Sequence, residues 1–253
     1  MAAPVIMVHG AFCGGWAFDA FRAPFERAGH AVLTPDLRGH GADRRGVAGV
    51  SMADYARDIG ELIAAQPEPP VVVGHSMGGL VAAMAAGRAR TAAVIQLAPS
   101  PPWGVSGATM EEAISAFGLY ALGPFWLQAV EPDRSLMRRF SLDRLSADER
   151  RAAAARLGPE SGRALWETLN WWLDPMMTTS VNAARIGAPI LSIAGGRDVV
   201  HPAATVALTA SRLGGEHRLM PRMSHWLPGE PGWQEVADLC LEWLAKVGQP
   251  TGA

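Results

Sequence analysis

Short apolar runs alternate with longer amphipathic stretches in the first and last parts of the chain. Six such runs stop at or just before a glycine or a proline, and they cover residues 5–8, 31–34, 71–73, 92–97, 189–194 and 217–220. Nearly continuous apolar runs, mostly of β-branched residues, are typical of strands that are buried on both faces of a parallel sheet.

Amphipathic segments separate these runs. Ser51, with Asp54 three residues later, forms a capping-box pattern that predicts the start of a helix. The last segment places its apolar residues at a period of about 3.6, and they are Val236, Leu239, Cys240, Trp243, Leu244 and Val247. Alternating strands and helices predict an α/β fold, with a doubly wound, mostly parallel six-stranded sheet covered by helices on both faces.

The pattern changes between the fourth and fifth runs, where no strand-like run appears. Ser146 and Glu149 form a second capping box. Five of the nine tryptophans fall in this stretch, namely Trp103, Trp126, Trp166, Trp171 and Trp172. A stretch of this length is too long for a plain loop. We therefore expect residues 101–188 to form a helical cap, inserted into a core made of residues 1–100 and 189–253.

Composition narrows the class of protein. Of 253 residues 49% are hydrophobic, which excludes disorder, and 22 basic against 24 acidic residues give a net charge of −2. We therefore expect no nucleic-acid partner. Two distant cysteines give neither a disulfide framework nor metal-ligand spacing, and no apolar run reaches membrane-spanning length. The sequence predicts a cytoplasmic monomer or homodimer without a leader peptide, metal or cofactor.

The strongest chemical signal is the GHSMGG segment at residues 74–79. It follows a valine-rich run and precedes a helical pattern, which is the setting of a G-x-S-x-G nucleophile elbow. Such a turn lifts a serine hydroxyl above the sheet, and its glycines make room for the strained backbone. Ser76 is therefore the predicted nucleophile. The alternative is an ordinary glycine-rich turn between a strand and a helix.

A serine nucleophile needs a base and an orienting acid. His225 follows the last strand-like run, where a loop can reach back over the elbow, and His201 is its one rival among the seven histidines. Asp198 follows the penultimate run, although an aspartate there also suits a helix cap. The predicted catalytic set is Ser76, Asp198 and His225, in the chain order that this arrangement requires.

Acyl transfer also needs backbone amides that bind the developing oxyanion. The amide of Met77, next to the nucleophile, is one predicted donor. Ala11 and Phe12, in the glycine-rich loop after the first strand, are candidates for the other, and we select Phe12. The tryptophan-rich insertion predicts a largely apolar substrate pocket, although most of its tryptophans are expected to pack the cap onto the core. The candidate pocket residues are Ala11, Trp103, Trp126, Trp172 and Trp226.

These motifs, with DLRGHG at residues 36–41 and GGRD at 195–198, occur in an order that resembles the α/β-hydrolase superfamily. The resemblance covers the chain outside the insertion and is closest to small serine esterases that carry a helical cap. It implies the strand order 2-1-3-4-5-6. A serine at position 76 differs from the aspartate of related dehalogenases and epoxide hydrolases. Trp226 follows His225, and Lys246 is the only lysine, which argues against the lysine-dependent hydroxynitrile lyases.

The sequence therefore predicts a cofactor-free serine hydrolase. Its expected substrate is a small to medium apolar or aromatic carboxylic ester, cleaved through an acyl-enzyme. A lactone substrate, a lyase or perhydrolase on the same scaffold, and a hydrolase-like receptor remain as alternatives.

Overall fold

The computed structural model describes residues 2–41, 46–106 and 123–248. Its centre is a six-stranded sheet in the order β2-β1-β3-β4-β7-β8, with every pairing parallel. The strands are β1 (Val5–Val8), β2 (Val32–Leu33), β3 (Val71–His75), β4 (Ala93–Leu97), β7 (Ile190–Gly195) and β8 (Glu216–Met220). The predicted fold class and strand order are confirmed.

The two edge strands differ from the buried strands that the sequence predicts. β2 shrinks to two residues, and Leu33 in it is exposed. β8 leaves all five of its residues partly or fully exposed. Each edge strand pairs with only one neighbour. Its residues are therefore less buried than those of the four central strands.

Helices cover both faces of this sheet. They are α1 (Arg22–Arg27), α2 (Met52–Ala64), α3 (Met77–Ala86), α7 (Ala203–Leu213) and α8 (Trp233–Val247). The predicted capping box of α2 is present, because Ser51 and Asp54 exchange side-chain and backbone hydrogen bonds. Alternate strand residues feed two apolar layers, since Val5 and Met7 of β1 lie in one layer and Ile6 and Val8 in the other.

The stretch between β4 and β7 contains α4 (Arg134–Leu136), α5 (Ala147–Arg156) and α6 (Gly162–Leu169). The predicted capping box of Ser146 and Glu149 opens α5. The stretch also contains β5 (Ala129–Val130) and β6 (Glu160–Ser161), which pair antiparallel and which the sequence analysis did not predict. Strands of two residues are too short for the period-2 pattern that identifies a strand.

Shorter turns of helix complete the described residues. They are 3₁₀ turns at Gly15–Phe18, Phe125–Leu127, Trp171–Leu173 and Ala183–Arg185, and a π turn at Met137–Ser141. Within the described ranges, no helix is long and apolar enough to cross a membrane. The same ranges contain no cluster of three or more side chains suited to holding a metal ion.

Candidate active site

Ser76 lies on a tight turn between β3 and α3, with φ 54° and ψ −124°, a conformation that L residues rarely adopt. Two close approaches require the glycines around it. A Cβ on Gly74 would lie 2.2 Å from the carbonyl oxygen of Gly78, and one on Gly78 would lie 2.2 Å from that of Val8. The glycines therefore allow the strained turn that lifts Ser76 above the sheet.

Backbone bonds fix this turn to the neighbouring strand. The Ser76 N–H donates to the Leu97 carbonyl oxygen at 2.9 Å, and the Ser76 carbonyl accepts from the Ser100 N–H at 3.0 Å. Met77 begins α3, so its N–H has no acceptor inside the helix. The turn therefore places the Ser76 hydroxyl next to a backbone amide that has no acceptor among the described residues.

Asp198 and His225 form a buried pair beside this turn. Nδ1 of His225 lies 2.9 Å from Oδ2 of Asp198, and both side chains are almost fully buried. Oδ1 of Asp198 accepts from the backbone amides of Val200 and His201. Burial acts to raise the pKa of Asp198, but the charge and hydrogen bond of His225 outweigh it and hold that pKa below its usual range. The carboxylate therefore stays ionised and orients the imidazole.

His75 supports the backbone of His225. Its Nε2–H donates to the His225 carbonyl oxygen at 2.9 Å. Burial lowers the pKa of His75 to about 3, so the ring is neutral. The sequence analysis gave His75 no role, because a histidine inside the elbow motif is expected to point away from the nucleophile.

Glu230 supports the same loop from the other side. Its Oε1 accepts from the Ser224 N–H at 2.5 Å, directly before His225. Glu230 is buried, and within the described residues its Oε2 has no hydrogen-bond partner. The sequence analysis also missed this residue, since a lone glutamate before a helix carries no local signal of burial.

Ser76 and His225 open into one cavity of about 450 Å³, which we call the Ser76 cavity. The core contributes the β1 loop (residues 9–16) and Trp226, and the insertion contributes an apolar wall. That wall includes Val130, Leu136, Met137, Phe140, Leu165 and Leu169. Within the described residues, no hydrogen bond joins the Ser76 hydroxyl to the His225 ring, a contact that often tightens only when substrate binds.

Two of the five predicted pocket residues, Ala11 and Trp226, line this cavity. The other three tryptophans are not among the described residues that line it, which corrects the prediction. Trp103 packs against Trp171 with ring centroids 5.5 Å apart, and Trp172 packs on the other edge of Trp171 and is 61% exposed. Trp126 packs on its neighbour Phe125. These rings pack against other rings of the insertion rather than on the cavity.

The selection of Phe12 as an oxyanion donor also needs correction. The Phe12 N–H points to a carboxylate of the insertion, with its nitrogen 3.3 Å from Oε2 of Glu160. Ala11 has no hydrogen-bond acceptor for its N–H among the described residues, and it lines the Ser76 cavity beside Met77. Ala11 and Met77 are therefore the amides that can bind an oxyanion here.

His201, the rival base, also borders the cavity. Its Nε2 lies 3.0 Å from the hydroxyl oxygen of Ser100, and its ring packs edge-on against His225. Asp198 contacts the backbone amide of His201, whereas it contacts the ring of His225. The geometry thus places the Asp198 carboxylate against the ring of His225 and against the backbone of His201.

Curated proteins resemble part of this chain. The carbendazim hydrolyzing esterase of Nocardioides sp. (strain SG-4G) is 39% identical over 79 residues, which are 30% of this chain and 32% of that protein. Methylesterase 3 of Arabidopsis thaliana is 38% identical over 85 residues, or 32% of each chain. The match therefore spans about a third of the length of these relatives.

Solved structures resemble nearly the whole chain. A methylesterase from Arabidopsis, MES16, has a TM-score of 0.75 at 17% identity, covering 97% of this chain and 100% of that one. Polyneuridine aldehyde esterase has a TM-score of 0.72 at 18% identity, covering 96% and 99%. At such identities the likeness concerns the fold alone.

The sequence model of the alpha/beta hydrolase family matches residues 5–239, which span β1 through most of α8. The match agrees with the parallel sheet, the elbow between β3 and α3, and the order of the site residues along the chain. On this evidence the chain belongs to the alpha/beta hydrolase family.

Proposed function

We propose that this protein is a serine hydrolase that cleaves carboxylic esters through an acyl-enzyme. The observation that carries the proposal is the single cavity that joins the Ser76 turn to the buried Asp198–His225 pair. A nucleophile and a base that share one cavity, with an orienting acid buried behind the base, are the parts that acyl transfer needs. The esterases and hydrolases among the relatives support the same reaction class.

In the first half of the reaction, Oγ of Ser76 attacks the ester carbonyl carbon, and Nε2 of His225 takes the hydroxyl proton. The carbonyl oxygen becomes an oxyanion that the amides of Ala11 and Met77 bind. The tetrahedral intermediate then collapses, the bond to the alcohol oxygen breaks, and His225 returns the proton to the departing alcohol. Asp198 stabilises the charged imidazole throughout.

In the second half, water attacks the acyl-enzyme carbonyl, and His225 takes a proton from that water. The second intermediate then collapses, the bond between the carbonyl carbon and Oγ breaks, and His225 returns the proton to Oγ. This step releases the carboxylic acid and restores the Ser76 hydroxyl.

The walls of the Ser76 cavity define the substrate class. Most of the lining is apolar, and the carboxylates that border it, Glu131 and Asp133, are exposed. An apolar wall favours an aliphatic or aromatic acyl or alcohol group. Carboxylates at the border disfavour an anionic substrate, so we propose an uncharged ester or lactone of small to medium size.

The same lining supports a cap. Residues of the insertion and residues of the sheet domain enclose one cavity from two sides. We therefore propose that residues 101–188 act as a cap over a core of residues 1–100 and 189–253.

The proposal is tested with p-nitrophenyl esters from acetate to decanoate, using wild type, Ser76→Ala and Ser100→Ala. Ser76→Ala should lower kcat by about a thousandfold or more. Ser100→Ala is the matched control, a serine of the same cavity, and should lower kcat by less than about tenfold if Ser76 is the nucleophile. Turnover that survives in Ser76→Ala refutes the assignment. A wild type inactive on every ester, but active on lactones or in bond cleavage without water, would favour the alternatives.

A further inference from the structure

One buried carboxylate joins the insertion to the β1 loop. Glu160 of β6 is completely buried, and four donors surround it. Its Oε2 accepts from the His40 ring at 3.0 Å and from the Phe12 N–H at 3.3 Å. Its Oε1 accepts from the Tyr55 hydroxyl at 2.6 Å and from the Ser161 N–H at 2.7 Å. We call Glu160, His40, Tyr55 and Phe12 the Glu160 cluster.

From these contacts we infer that Glu160 is a positioning residue, which holds the β1 loop so that the Ala11 N–H faces the Ser76 hydroxyl. This inference rests on the proposed function, because it concerns the amide that binds the oxyanion. Glu160 itself is not among the residues that line the Ser76 cavity. It acts through the backbone of Phe12.

Phe12 needs such an anchor. Its φ is 64°, in the left-handed region that costs a bulky residue energy. The insertion holds this residue at both polar groups, since the Gly158 N–H donates to the Phe12 carbonyl at 2.9 Å and Glu160 accepts from the Phe12 N–H. Holding the peptide units on both sides of Phe12 fixes the carbonyl side of Ala11 and so restricts the directions that the Ala11 N–H can take.

The bonding pattern also assigns a charge to His40. Its Nδ1 faces the Arg38 carbonyl oxygen at 3.2 Å, while its Nε2 faces Glu160. Both ring nitrogens face acceptors, so both carry protons and the ring is a cation. Glu160 and His40 therefore form a buried ion pair.

The groups around this pair are consistent with it. His9 packs against His40 at 4.9 Å between ring centroids, and burial followed by the charge of His40 lowers the pKa of His9 to about 4. Tyr55 is neutral, because burial and the nearby carboxylate raise its pKa. Burial opposes charge on His40 and on Glu160, yet their mutual attraction and hydrogen bonds raise the pKa of His40 and lower that of Glu160. Asp36 adds a further negative charge near His9.

Glu167 provides a matched control within the same insertion. This glutamate of α6 is also buried and also bridges to the core, because it accepts from the Ser51 hydroxyl and from the Met52 N–H. It does not contact the β1 loop in the described structure and does not line the Ser76 cavity. Its loss should affect stability without affecting the oxyanion site.

The experiment measures kcat and KM for Glu160→Gln, Tyr55→Phe and Glu167→Gln on one p-nitrophenyl ester. Glu160→Gln should lower kcat about tenfold or more with KM changed by less than about threefold, since an oxyanion donor acts in the transition state. Tyr55→Phe removes one of the four donors and should lower kcat by a smaller factor. Glu167→Gln should keep kcat within about twofold. An alkyl boronic acid, which mimics the tetrahedral intermediate, should bind about tenfold more weakly to Glu160→Gln but not to Glu167→Gln.

Two results would overturn the inference while leaving the proposed function intact. One is Ser76-dependent turnover that Glu160→Gln leaves unchanged. The other is an equal loss of kcat in Glu160→Gln and Glu167→Gln, which would show a general effect of cap stability. ¹⁵N NMR of the His40 ring gives a readout independent of turnover, with both nitrogens protonated at pH 7 in wild type and one deprotonated in Glu160→Gln. A neutral His40 in wild type would refute the ion pair even if no ester is cleaved. If Glu160→Gln does not fold, the change of kcat in Tyr55→Phe tests the positioning role instead.

Discussion

Replacing Glu230 with glutamine should make the protein more resistant to rising pH. Burial, with a smaller contribution from Asp143, raises the pKa of Glu230 from 4.5 to about 7, against the opposing effects of the Ser224 N–H, His225 and Arg144. The glutamine oxygen can still accept the Ser224 N–H. The substitution therefore removes the titration and keeps the contact with the loop that carries His225.

The direction in which the free energy of unfolding changes with pH follows from the order in which the folded and unfolded states ionise. Below pH 4.5 the carboxyl is protonated in both the folded and the unfolded chain. Between pH 4.5 and about 7 the unfolded chain ionises first, so the free energy of unfolding of the wild type falls as pH rises. Above about 7 both states are ionised and the effect stops growing. At about 1.4 kcal/mol for each pKa unit, the loss reaches about 3 kcal/mol.

Urea unfolding of both proteins at pH 4.5 and pH 8 measures this effect. The advantage of Glu230→Gln over wild type should grow by about 3 kcal/mol between the two pH values. Any pH-independent cost of burying the amide cancels in that difference. Glu242→Gln, on the exposed face of α8, is the control and should change by less than about 0.5 kcal/mol. An advantage of Glu230→Gln that is equal at both pH values would show that the pKa of Glu230 is not raised in the folded protein.

Three further predictions concern the elbow, a buried thiol and the cap. Gly78→Ala should lower the free energy of unfolding by about 3 kcal/mol or prevent folding, because its Cβ would lie 2.2 Å from a carbonyl oxygen. The control Gly87→Ala places its Cβ 3.5 Å from the nearest atom and should lower the free energy of unfolding in urea by less than about 1 kcal/mol. Burial raises the pKa of Cys240, which is completely buried in α8, so a thiol reagent should modify it only after unfolding, and rapid labelling of Cys240 in the native protein would contradict this. Trp172→Ala should leave the KM for every ester unchanged; a raised KM would place this ring in the site.

The elbow was predictable because its signal is local. Residues 71–86 contain a valine run, two flanking glycines and a helical pattern. Each of these features predicts its part of the strand, turn and helix on steric grounds. Asp198 and His225 were selected by their positions after β7 and β8, which the parallel topology brings to one edge of the sheet.

The Glu160 cluster was not predictable from local patterns. Glu160 lies 148 residues from Phe12 and 120 from His40 along the chain. A single glutamate between Pro159 and Ser161 is expected to be a solvent-exposed loop residue. Only the packing of the insertion onto the core brings His40, Tyr55 and Phe12 to Glu160. Local patterns therefore offer no ground for preferring Ala11 to Phe12 as the oxyanion amide.

The tryptophans illustrate a second limit. Their abundance in the insertion indicates an apolar interior, but it does not say which face of the cap each ring occupies. Trp171 and Trp172 lie on a 3₁₀ turn rather than on a continuous α-helix, so their directions differ from those of a helical stripe. Trp172 consequently points away from the core and is exposed.

Mass spectrometry of a covalent adduct tests whether Ser76 is the nucleophile, on which the proposed function depends. A fluorophosphonate reacts with an activated serine, so brief treatment followed by peptide mapping identifies the nucleophile. We expect one adduct on the peptide that contains Ser76, a parallel loss of ester turnover, and no adduct in Ser76→Ala. An adduct on Ser100, which lies beside His201 in the same cavity, or rapid ester turnover without any adduct on Ser76, would contradict this expectation.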